Sequence, residues 1–128
     1  MRNNSVNSVN FGVKYNNAIQ NSLIDSAINA TRKGELKKWR KVKNELDSIA
    51  NHCELYIYFD NSNKEDPIKF YLDDNNSLSE DDHLIRVNNT PLHNETNVKL
   101  KKGEILTIKK MKQLISFLKN NEYTNRCF

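Results

Sequence analysis

Three histidines, His52, His83 and His93, are the side chains of this 128-residue chain suited to titrate near neutral pH. Cleavage of a phosphodiester without metal needs a general acid, a general base and a cation beside the scissile phosphate. His83, His93 and Arg86, with Lys99 nearby, have those types and fall in or beside neighbouring loops. Nothing in their spacing demands that role, and isolated surface histidines are common. Other catalytic arrangements have less support. No Gly-x-Ser-x-Gly elbow occurs, and the adjacent His52 and Cys53 direct their side chains apart. Three dispersed glycines do not make a phosphate-cradling loop. The leading expectation is therefore a protein without catalytic residues of its own, with a ribonuclease-like toxin as the alternative.

Three further clusters carry binding chemistry. Lys37, Lys38, Arg40 and Lys41 lie within one basic stretch around Trp39 and have the charge to contact phosphates. Trp39, however, shares a helical stripe with Leu36, Val42, Leu46 and Ile49, where a core residue belongs. Tyr56, Tyr58 and Tyr71 alternate with apolar residues and so can share one sheet face. Such a face suits base stacking or, more commonly, protein contact. The loop from Asp73 to Asp82 is acidic, but an EF-hand register from Asp73 puts Leu78 at the glycine and Leu84 at the bidentate glutamate. That match fails, and neither a metal nor a cofactor is expected.

Charge is segregated along the chain, although the net value is only +4. Residues 31–43 and residues 99–119 each carry net +6, while residues 54–83 carry net −7. A charge-polarised surface supports oriented docking to another protein. The acidic middle argues against a uniform nucleic-acid binder. The expected partner is a protein, contacted through Tyr56, Tyr58, Tyr71, Asp81, Asp82 and His83, as by an adaptor, inhibitor or delivered effector. Nucleic acid is the alternative partner, held by Lys37, Lys38, Arg40 and Lys41.

The elements that must position these groups follow from hydrophobic spacing. From Val13 the pattern reads as helical, with Ile19, Leu23 and Ala27 repeating every four residues and Ile24 and Ile28 beside them. Gly34 suits the end of that helix, and a second runs from Glu35 to about Asn51. The period then changes to two. Leu55, Ile57 and Phe59 predict one strand, Ile68, Phe70 and Leu72 a second, and Leu84 to Val87 a third. Asn88 to Asn97 reads as a loop, and residues 98–106 as a small hairpin about a Lys-Lys-Gly turn. Thr107 has the character of an N-cap for a last helix bearing Met111, Ile115 and Leu118.

The expected fold is α+β: two N-terminal helices, a small antiparallel sheet of three to five strands, and a C-terminal helix packed on one face. It occupies residues 13–121, between a flexible leader (1–12) and a frayed tail (122–128). Thr90-Pro91-Leu92-His93 matches the start of an ankyrin repeat, but no second copy follows at the period of about 33 residues. Two cysteines outside any Cys-x-x-Cys pair point to a reducing compartment. The Ser/Asn-rich start lacks the apolar run of a cleaved signal. A cytoplasmic location is expected, and export by a specialised secretion system is compatible with that start.

Overall fold

A computed structural model describes residues 12–50, 54–60, 65–73, 86–87, 90–91, 93–121 and 124. In chain order the elements are β1 (Gly12–Tyr15), α1 (Asn17–Arg32), α2 (Leu36–Asp47), β2 (Glu54–Tyr58) and β3 (Glu65–Asp73). There follow β4 (Arg86–Val87), β5 (Thr90–Pro91), β6 (Asn94–Lys101) and α3 (Ile108–Asn120). The main sheet has the order β1-β2-β3-β6, and β4 and β5 pair separately. The α+β class and the three helices match the sequence reading.

The sheet is mixed, however, and not antiparallel throughout. β1 lies parallel to β2, with Val13 opposite Leu55 and Tyr15 opposite Ile57. Val13 thus belongs to a strand, and α1 starts only at Asn17. A four-residue strand is too short to display a period of two against the helical pattern that follows. Gly12 belongs to this strand too, and the rest of the expected leader lies outside the described residues. At the other end, Thr124 is fully buried and its hydroxyl donates to the Leu118 carbonyl, so the tail is anchored at that point.

Each helix starts and stops for local reasons. The Asn16 side chain caps α1 by accepting from Ile19 N at 3.1 Å. Gly34, at φ 71°, turns the chain from α1 into α2, a conformation that side-chain-bearing residues resist. Thr107 caps α3, accepting from Lys110 N at 3.2 Å. The expected hairpin over residues 98–106 is absent. β6 already begins at Asn94, Gly103 turns the chain at φ 79°, and residues 104–107 lead into α3 without pairing. The stretch 94–97 is strand because β3 supplies its hydrogen bonds, a partnership that no local signal encodes.

All three helices pack on one face of the sheet. That face contributes Leu55, Ile57, Phe59, Ile68, Phe70, Leu72, Val98 and Leu100, which meet Ile19, Leu23, Val42, Leu46, Met111, Leu114 and Leu118 from the helices. At about 25 cal/mol per Å² of apolar surface removed from water, this core dominates the favourable side of folding. Between Pro67 and Lys69 the register jumps, so that Pro67 faces Lys99 but Lys69 faces Glu95. Pro67 lacks an N–H and fits such an irregularity. On β6 the Thr96 hydroxyl accepts from Val98 N at 3.1 Å, satisfying a donor that the ladder misses. Because two residues are gained, alternation is preserved: Thr96, Val98 and Leu100 point inward, and Glu95, Asn97, Lys99 and Lys101 outward.

Candidate functional site

The second sheet face carries no helix among the described residues, and the tyrosines stand on it. Leu55 and Ile57 point into the core, so strand alternation sends Tyr56 and Tyr58 the other way. Register then decides which rings meet. Tyr56 lies directly opposite Tyr71, and the two rings stack with centroids 4.7 Å apart and planes 7° from parallel. Tyr58 meets Tyr71 edge-on at 6.1 Å.

His93 completes the group. Phe70 faces Asn94 across β3 and β6, which brings His93, the residue just before β6, beside Tyr71. The imidazole is tilted against the Tyr71 ring at 4.7 Å and perpendicular to the Tyr58 ring at 5.5 Å. Its Nδ1 lies 2.8 Å from the Tyr58 hydroxyl, with the donor set by the imidazole tautomer. The Tyr56 hydroxyl donates to Glu54 Oε2 at 2.8 Å. Burial is the main cause that raises Tyr58 above the ordinary tyrosine range, so its hydroxyl keeps its proton at neutral pH. Beside it, Lys69 pairs with Asp60 at 2.7 Å, a contact that favours the charged ammonium.

Four aromatic side chains are thus held against one another before any ligand arrives. Each such ring pair contributes about 0.5–1.5 kcal/mol beyond area burial. Tyr71 is the centre of the group, in ring contact with Tyr56, Tyr58 and His93. The three tyrosines expected to act together do meet. Among the described residues, His93 has Tyr58 and Tyr71 as its ring neighbours. Only the β3–β6 register reveals this. Asp81, Asp82 and His83 lie outside the described residues. Arg86 belongs to β4, and Lys99 is exposed on β6.

The basic residues of α2 share the side of the helix turned away from Trp39, Val42 and Leu46. Lys37, Lys38, Arg40 and Lys41 are all exposed. They span an arc of about 160° of the helix circumference, with Lys37 and Lys41 one turn apart at its middle. Trp39 is half-buried against the core, and its indole N–H donates to Ser26 Oγ at 2.9 Å. Among the described residues, no three His, Cys, Asp or Glu side chains converge on a common point, and no helix is long and apolar enough to cross a membrane. Comparison with known families, with curated proteins and with solved structures gives no match.

Proposed function

We propose that the protein is a small interaction module that recognises a protein partner through the sheet face bearing Tyr56, Tyr58, Tyr71 and His93. The observation that carries this reading is the preassembled ring cluster on the face opposite the helices. Tyrosine offers a large, amphipathic contact area with few rotatable bonds, so little entropy is lost when a partner docks. Rings already locked by their neighbours lose less still. Protein interfaces favour such aromatics at their centres, with charged groups at the rim. Lys69 and Glu95, paired across β3 and β6, flank one side of the cluster in that way. The stack of Tyr56 on Tyr71 withdraws one face of each ring from base stacking.

The test immobilises the protein and a Tyr56→Ala/Tyr71→Ala variant side by side and exposes both to a native lysate. The expected result is a protein retained saturably by the first and at least tenfold less by the second. Circular dichroism and thermal melting verify that both remain folded. Equal retention on the two surfaces, or no saturable protein at all, would overturn the reading.

A further inference from the structure

The two basic stretches of the sequence, far apart in the chain, meet on the helical side of the molecule. A cleft of about 360 Å³ opens between the α1–α2 turn and the start of α3, and Lys33, Lys38, Lys109 and Lys112 line it. Glu35 is the one carboxylate among its lining residues. We infer that this cleft is a binding site for a compact polyphosphate anion. The inference is independent of the tyrosine face, which lies across the sheet.

Several observations support it. Among the described residues the salt bridges engage Lys43, Lys69, Lys110 and Lys119, and none of the four cleft lysines has an ion-pair partner. Four like charges beside a single carboxylate repel one another, and a bound anion relieves that repulsion. The floor adds backbone donors. Thr107 satisfies Lys110 N through its hydroxyl and Met111 N through its carbonyl. The N–H groups of Ile108 and Lys109, ahead of them in the first turn, have no helical acceptor. Both residues line the cleft, where the positive end of the helix dipole favours an anion.

The shape favours a compact ligand over a long backbone. The volume is near the lower end of small-molecule sites. The lysines converge from three elements onto one cleft and do not form a stripe. Farther along α3, Lys119 is already committed to Glu45 at 3.0 Å. A chain of phosphates extending that way would meet a neutralised pair.

Tripolyphosphate is the probe, titrated calorimetrically into the folded protein at ~50 and ~200 mM salt, a range over which screening should weaken the binding. Saturable one-to-one binding is expected. A unit-charge contact in water is worth about fivefold in affinity. Lys38→Ala and Lys112→Ala should each weaken binding by about that factor, and Glu35→Gln should tighten it. Lys119→Ala removes the same charge outside the cleft and should change affinity less than about twofold. Absence of saturable binding, or an equal loss with Lys119→Ala, would overturn the assignment. So would a single-stranded oligonucleotide that binds and is not displaced by tripolyphosphate.

Discussion

Replacing Asn16 with alanine should cost the fold about 3 kcal/mol, far more than an ordinary helix cap. Asn16 sits between β1 and α1 and makes five hydrogen bonds, one of them from Gln20 N to its carbonyl at 3.0 Å. Its Oδ1 accepts from Ile19 N at 3.1 Å and from Phe59 N at 3.2 Å. Its Nδ2 donates to the Phe59 carbonyl at 2.8 Å, and its own N–H donates to the Ile57 carbonyl at 3.2 Å. The side chain therefore continues the β1–β2 ladder by one pair while opening the helix. Loss of the cap alone costs about 1 kcal/mol. Phe59 is only 4% exposed, so its stranded N–H and C=O would add about 1 kcal/mol each.

A chain of this size should have a total stability of about 5–15 kcal/mol, so 3 kcal/mol is a substantial share. It corresponds to a fall in Tm of about 10 °C. Urea titration followed by circular dichroism measures the change as a shift in midpoint at constant slope. Asn16→Ser separates the two roles, because serine can cap Ile19 N but cannot reach Phe59. It should recover about 1 kcal/mol of the loss and no more. If serine restored the full stability, the bridge to Phe59 would contribute nothing and the reasoning would be refuted.

Two further outcomes follow from buried or shielded polar contacts. Trp39→Phe keeps most of the apolar contact but deprives Ser26, itself 3% exposed, of its indole donor, and should lower stability by about 1 kcal/mol in the same urea assay. The Tyr15 hydroxyl donates to Asp47 Oδ1 at 2.6 Å, and burial first, then this carboxylate, raises its pKa well above the usual tyrosine value. The protonated form is thus favoured by the fold. That stability is fully present below about pH 10, where an unfolded tyrosine begins to ionise, and drains away as pH rises. In an absorbance titration Tyr15 should ionise only with unfolding, and Tyr15→Phe should flatten the alkaline fall in stability.

Much of the local structure was legible before any coordinates. The Thr107 cap, the Gly34 turn and the alternation of Leu55, Ile57 and Phe59 depend on a few neighbouring residues, and each appears as read. So does the shared face of Tyr56 and Tyr58, because alternation along one strand fixes it. The helix α1 shows where such reading fails. Ile24 and Ile28 look as apolar as Leu23, yet they are 58% and 46% exposed, while Ser22 and Ser26 are buried. Helical spacing defines a face but not its orientation, which depends on where α2 and the sheet stand.

Sequence alone determined the α+β class, the Gly34 turn, the Thr107 cap and the separation of charge into blocks, since propensity, capping and periodicity act over a few residues. Pairing belongs to the tertiary structure. The parallel seat of β1 on β2, the stack of Tyr56 on Tyr71, the approach of His93 and the meeting of Lys33 and Lys38 with Lys109 and Lys112 all join distant segments. The energy that selects these pairings is the burial of one continuous core, a property of the whole chain. No window of sequence contains it.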